Sequence, residues 1–233
     1  MLERPVLRIG AVSIILGVII SGVSGAFHGG HQPHDLVVTL PQYAANANWI
    51  VVHLGQFLGQ LLVVGGLVGL YRSITLEPGA ALAQLGFVAA VVAISVYAAN
   101  QAVDGIAIKF VAEEWVNAPA ADKEVAFRVA EAVRHIEIGL TSLTVLILGV
   151  AFILYGVAIE LSRVYPRWLG WLTVLAGGLW VVVSIFYAYR GFSPLAITIN
   201  QAAGYVLLVW ALALAVLMWR RASTAAPSVS PSP

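Results

Sequence analysis

The sequence predicts an all-α membrane protein, a polytopic bundle of six transmembrane helices oriented N-in and C-in. Three observations predict this class. The 233 residues are 61% hydrophobic and 10% charged, whereas a water-soluble domain carries about 25% charged residues, and the mean hydropathy is +0.93. The apolar residues fall into six blocks, at about 9–27, 50–71, 81–103, 136–159, 169–187 and 196–219, each near the roughly 20 helical residues that cross 30 Å of hydrocarbon. The blocks are continuously apolar, whereas the strands of a membrane barrel alternate over about ten residues. Only within a helix does such a span close its own backbone hydrogen bonds.

Orientation follows from the basic residues. An even number of spans puts both termini on one side. Arg4 and Arg8 precede the first span, Arg72 follows the second, Arg163 and Arg167 lie between the fourth and fifth, and Arg220 and Arg221 follow the sixth. All seven then face the cytoplasm, as the positive-inside bias requires. The opposite side receives a 28–49 loop free of Lys and Arg, a mixed-charge 109–135 segment, and Arg190. The expected location is therefore a bacterial cytoplasmic membrane, with the lipid bilayer as first partner. The transmembrane domain covers 1–221, and the small, polar, Pro-rich residues of 222–233 are expected to form a disordered cytoplasmic tail. A rival reading exists for the first span. Arg4, Arg8, a short apolar core and the small residues "SGVSGA" also fit a secretory signal peptide, whose removal would leave five spans.

Between the third and fourth spans, "APAADKEVAFRVAEAVRHIE" repeats its charges every three or four residues, which reads as a helix. Pro119 and Asp122 supply start signals, so this helix is expected from about 122 to 160, its first turns outside the bilayer. Glu124 with Arg128, and Glu131 with His135, support it at helical spacing. Close helix packing is signalled by Gly55 with Gly59, Gly65 with Gly69, and Gly17 with Ser21, each pair four residues apart.

The polar residues are distributed one-sidedly. His53, Gln56 and Gln60 share one face of the second span. Asn100, Gln101 and Asp104 close the third span, followed by Lys109, and Glu131, Arg134, His135 and Glu137 open the fourth. The cytoplasmic halves, such as "LLVVGGLVGL" and "VLILGVAFIL", carry no ionisable group. Polar groups in hydrocarbon normally face a protein interior or a wet cavity. One outward-facing polar cavity, closed beneath by aliphatic packing, is the expected arrangement. Interfacial snorkelling accounts equally for Lys109, Trp115, Tyr187, Tyr189 and Arg190; Gln56, Gln60, Asn100 and Asp104 are too short to reach water, and interhelical hydrogen bonding is their lesser alternative to the cavity.

A net charge of +1 gives no reason to expect a nucleic-acid partner, and the absence of cysteine removes thiolate chemistry. The stretch "SGVSGAFHGGHQPHDL" concentrates three of the five histidines. His28, His31 and His34 with Asp35 offer metal ligands that His53, Asp104, Glu131, His135 and Glu137 can join from neighbouring helices. The expected metal set is His28, His31, His53 and His135, holding a divalent ion whose bound water becomes a nucleophile near neutral pH. No H-E-x-x-H motif is present. A haem between His53 and His135 is a second cofactor reading. A metal-free reading uses Asp104 and Glu137 as catalytic acid and base, tuned by Arg134 or Lys109. The expected binding residues for a small or lipid-like molecule are His53, Gln56, Gln60, Asn100, Lys109, Glu131 and Arg134. A non-catalytic scaffold or sensor is the alternative. Transport ranks lower, because no span is interrupted by proline.

Four stretches, "VHLGQF" at 52–57, "VDGIAIK" at 103–109, "EAVRHIEIGLTSL" at 131–143 and "YPRWLGWLTVLAGG" at 165–178, resemble a group of uncharacterised six-span bacterial membrane proteins of similar length, a domain without an assigned activity. The resemblance implies the architecture and an uncleaved first span, and it marks His53, Gln56, Asp104, Lys109, Glu131 and Glu137 as site elements. Ser24-x-x-x-His28 separately resembles a motif of the seven-helix zinc-dependent membrane hydrolases related to alkaline ceramidase. The second H-x-x-x-H and a seventh span are missing, so no activity carries over.

Overall fold

A computed structural model describes residues 3–28, 35–75 and 77–224. The described residues are helical almost throughout and contain no strand. Six helices are long and apolar enough to cross a membrane: α1 (Glu3–Phe27), α3 (Trp49–Ile74), the continuous pair α4 (Ala80–Ala102) and α5 (Ile108–Asn117), α6 (Lys123–Ser162), α7 (Arg167–Arg190) and α8 (Pro194–Thr224). A short helix, α2 (Leu36–Ala45), lies outside this set. The six spans close into a ring: α1 packs on α3 and α8, α3 on α4, α4 on α6, α6 on α7, and α7 on α8.

Small residues set the closest of these contacts. A Cβ on Gly17 would lie 2.5 Å from the Gly59 carbonyl oxygen, and one on Gly59 2.7 Å from that of Gly17. Such distances are below van der Waals contact, so α1 and α3 touch through backbone and only glycine fits. Gly149 with Gly177, and Gly156 with Gly170, bring α6 and α7 together in the same way. The expected Gly65–Gly69 pair is only half used. A Cβ on Gly65 meets nothing within 4 Å, and it is Gly66 that meets Gly10 and Ile14 of α1.

The end of the ring where α1 begins and α8 ends, the end of the termini, is filled by aliphatic and aromatic side chains. Leu7, Ile14, Leu70, Ile74, Ile159, Leu169, Leu214 and Met218 are buried there in one cluster. Outward faces are equally apolar: Ile9, Leu16, Leu54, Val88, Leu143 and Val209 are all exposed. A protein with greasy side chains both inside and outside is matched to lipid rather than water.

At the opposite end the helices overrun the bilayer. The 40 residues of α6 rise about 60 Å, twice the hydrocarbon thickness. Its first turns carry the exposed pairs Arg128–Glu124 (2.9 Å) and Arg128–Glu131 (3.0 Å), and they pack with α2 and α5 into a small cap. Leu40, Tyr43, Trp49, Ile108, Ala112 and Ala130 form its core. Helix α2 occupies part of what the sequence reads as a loop. Asp35 caps it, accepting from the backbone N–H groups of Val37 (3.0 Å) and Val38 (3.4 Å), an ordinary N-cap arrangement.

Candidate functional site

The third span does not end where its apolar block ends. Between α4 and α5, Val103–Ala107 forms one turn of π-helix, so the helix runs on unbroken to Asn117. Such widened turns recur at functional sites because they re-aim side chains without ending the helix. Two local features hold this one. Gly105 lies against His53 of α3, where a Cβ would sit 2.9 Å from the imidazole Cγ and closer still to Cβ. The Trp49 indole Nε1–H donates to the Asp104 carbonyl oxygen at 2.8 Å. The widened turn thereby presses onto the start of α3 and delivers the Asp104 carboxylate to His53.

The geometry of His53 is the informative part. This side chain is 1% exposed, and its Nδ1 lies 2.7 Å from the Trp49 carbonyl oxygen. A carbonyl only accepts, so Nδ1 carries the proton and the Nε2 lone pair points the other way. There Nε2 meets Asp104 Oδ2 at 3.2 Å and His28 Nε2 at 3.3 Å. All three ligand atoms lie within 4.8 Å of one another. Such contacts are held by a hydrogen on a ring nitrogen, His28 Nε2–H or His53 Nε2–H, or by one cation among the three atoms. Two ligands at about 2.0–2.1 Å from a tetrahedral ion stand roughly 3.4 Å apart, close to the two His53 contacts, while the third separation, His28 to Asp104, is within 4.8 Å. The Nδ1–H···O=C bond is also the usual way a ligating histidine is oriented.

Aromatic packing holds the cluster in place. The Trp49 ring lies 4.4 Å from the His53 ring, 4.8 Å from that of His28 and 4.2 Å from that of Tyr43, centroid to centroid. Beside His53, the two N–H bonds of Gln101 Nε2 are shared among the His53 carbonyl (3.2 Å), Gln56 Oε1 (3.3 Å) and the Tyr97 hydroxyl (2.8 Å), tying α4 to α3 below the π-turn.

A second polar group lies in the cap. Arg134 and Glu137 are buried, and Arg134 Nη1 approaches both Glu137 oxygens at 2.7 and 2.8 Å. Arg134 Nη2 donates to the Tyr43 hydroxyl at 2.7 Å. Burial pushes the Tyr43 phenol above its ordinary pKa, against the opposing pull of Arg134, so the hydroxyl is a neutral acceptor. Lys109 Nζ donates to the carbonyls of Tyr43 (3.1 Å) and Ala44 (2.6 Å) and pairs with Glu113 (3.0 Å). A cation at the last carbonyls of α2 satisfies groups the helix leaves open.

The residues expected from sequence thus separate into groups. His28, His53 and Asp104 converge, and among the described residues they are the set whose ligand atoms are mutually close enough for one ion. His135 does not join them: it is exposed and lines a groove of about 670 Å³ with Glu131, Arg190 and Tyr187. The two histidines expected to hold a haem therefore face different surroundings. His31 lies outside the described residues, as does His34. Asp35, offered as a ligand, caps α2 instead. Glu137 is engaged by Arg134, Glu131 pairs with Arg128 on the surface, and Asn100 Oδ1 accepts from Thr141 at 3.1 Å, joining α4 to α6. Gln60 lines a separate pocket with Ser21 and Asn200. Sequence reasoning passed over Trp49 and Gly105. The signal for Trp49 is its position four residues before His53, one turn back on the same face; for Gly105 it is a glycine beside the carboxylate in mid-helix.

The fold and this cluster define an integral membrane protein of six spans with a polar centre near one end of the ring. No family model, no curated protein and no solved structure matches the chain.

Proposed function

We propose that the protein is a metal-assisted membrane protein that binds a small or lipid-like molecule at the end of the ring away from the termini, on the outer side of a bacterial cytoplasmic membrane. The observation that carries this reading is the convergence of His28 Nε2, His53 Nε2 and Asp104 Oδ2, with His53 fixed in the tautomer a metal needs. Two imidazoles and one carboxylate with an open position suit zinc or another divalent first-row ion. The open position would take a water, whose pKa the ion lowers to about 7, or a substrate oxygen, which it polarises. Hydrolysis of an ester, amide or phosphoester whose apolar part stays in the bilayer is the reaction this supports. Outward orientation is supported by the seven arginines that flank the opposite end.

Metal analysis tests the reading. Chain purified in detergent, stripped with chelator and reloaded with Zn²⁺, is expected to retain one ion per chain after desalting. His53→Ala and Asp104→Asn are expected to retain none, while Glu137→Gln and His135→Ala retain it. Wild-type protein that retains no divalent ion would overturn the reading, as would retention unaffected by His53→Ala.

A further inference from the structure

We propose a second binding pocket, within the hydrocarbon layer, that takes a neutral amphiphile: a molecule with a hydroxyl or carbonyl head on an apolar body. Two turns from the histidine pair toward the termini, a cavity of about 320 Å³ is lined by Ser21 and Gly22 of α1, Gln60 of α3, Trp180 of α7, and Asn200 and Gly204 of α8. Because it touches α7 as well as α1 and α8, it reaches into the ring. Its depth follows from register. Gln60 is seven residues after His53, which places it about 10 Å further along α3 on nearly the same face.

Three features define what fits. The described lining carries no ionisable side chain, which disfavours an ion or a phospholipid headgroup in a medium where an unpaired charge is costly. It is nevertheless not purely apolar. Gln60 and Asn200, both half-buried, bring amide donors and acceptors to the lining, whereas the Ser21 Oγ is turned against Gly59 in the α1–α3 contact. Amide groups facing hydrocarbon cost free energy that a guest with its own donor or acceptor recovers. An alkyl chain alone supplies neither.

The third feature is the way in. Several glycines on α1 and α3 are packing glycines: a Cβ on Gly10, Gly17, Gly59 or Gly66 would come closer than 3.0 Å to a neighbour. Gly22 and Gly204 differ. Both are exposed, both line the cavity, and a Cβ on either meets nothing within 4 Å. At the seam between α1 and α8 these two glycines leave a mouth facing lipid, whereas nearer the termini the Met218 methyl fills the space against Gly10 and Gly69. A guest enters sideways from the bilayer, apolar body first or last, and its head meets the amides. Volumes of about 300 Å³ and upward are the range of small-molecule sites.

This recognition chemistry does not require the metal, so the two proposals fail separately. The test uses full-length chain in detergent and a long-chain alcohol bearing a diazirine, with labelled peptides mapped by mass spectrometry. Labelling is expected in the 18–22 and 200–208 stretches, to be competed by hexadecanol, and to resist hexadecane and hexadecyltrimethylammonium. Gly204→Phe, which fills open space, is expected to abolish labelling at unchanged melting temperature. Gln60→Leu is expected to weaken competition by hexadecanol roughly tenfold, the loss of one or two hydrogen bonds. His53→Ala is expected to leave labelling intact even where it removes bound Zn²⁺. Equal competition by hexadecane would overturn the proposal, as would unchanged labelling in both Gly204→Phe and Gln60→Leu. So would a dimeric mass in detergent that Gly204→Phe converts to monomer, since the seam would then be covered by a second copy of the chain.

Discussion

Replacing Trp49 by Phe tests how the π-turn and the histidine are held together. The indole is 2% exposed, and its Nε1–H is the group that donates to the Asp104 carbonyl at 2.8 Å. Phenylalanine keeps an aromatic ring against Tyr43, His28 and His53, and it leaves the Trp49 backbone carbonyl free to accept from His53 Nδ1. What is lost is one donor to a carbonyl in a water-poor setting, which costs about 1–3 kcal/mol when no replacement arrives. Part of that loss appears as a lower melting temperature. The rest appears as freedom of Asp104 relative to His53, and groups that orient metal ligands typically contribute 10–100-fold in affinity. Trp49→Phe is therefore expected to bind Zn²⁺ about 10–100-fold more weakly in a chelator competition, with the stoichiometry still one ion per chain. Affinity within threefold of wild type, on a variant with a lowered melting temperature, would refute the link between the indole bond and the position of the carboxylate.

Other substitutions separate the structural from the ligating residues. Gly105→Ala places a methyl against the His53 ring, and overpacking of this kind costs about 1–3 kcal/mol; thermal melts and Zn²⁺ titration are expected to worsen together. Glu137→Leu leaves the buried Arg134 without its carboxylate partner and is expected to destabilise by about 3–5 kcal/mol, whereas Glu131→Gln on the exposed face stays within about 0.5 kcal/mol, both read from denaturation in detergent. Burial raises the Tyr43 pKa, so the folded state keeps a proton that the unfolded chain releases. Its stabilising contribution is complete below the ordinary tyrosine value near 10 and is lost as pH rises through the raised value. A phenolate difference spectrum between wild type and Tyr43→Phe is expected to show less ionisation of this side chain at pH 10 than a free tyrosine shows.

The helices were legible from sequence because hydrocarbon imposes a length and a composition on whatever crosses it. The start of α6 near Asp122 was equally legible, since charge periodicity survives outside the bilayer. Helix α2 was not: ten residues with an internal Pro41 carry too little pattern, and its capping Asp35 has the same chemistry as a metal ligand. Nor does an apolar block show that a helix continues past it. The third span runs on to Asn117 because α5 turns an amphipathic face toward α2 and α6.

At the site, composition and depth put His53, Asp104, Glu137 and His135 at one level, yet level does not fix direction. His53 and Asp104 meet because Gly105 allows close approach and the π-turn re-aims the carboxylate, and a widened turn leaves almost no trace in residue type. Glu137 was drawn away by Arg134, three residues earlier on the same helix, a pairing that is visible in sequence and that competes with any ligand role. His135, one residue after Arg134, necessarily points about 100° away from it around the helix.

The central claim is that two imidazoles and one carboxylate share a single ion. X-ray absorption at the zinc edge of the reloaded wild-type protein measures this directly. The account predicts a first shell of four or five N/O ligands near 2.0–2.1 Å with the outer-shell scattering of two imidazoles, falling to one imidazole in His28→Ala. A shell without imidazole scattering, or one that His28→Ala leaves unchanged, would contradict it.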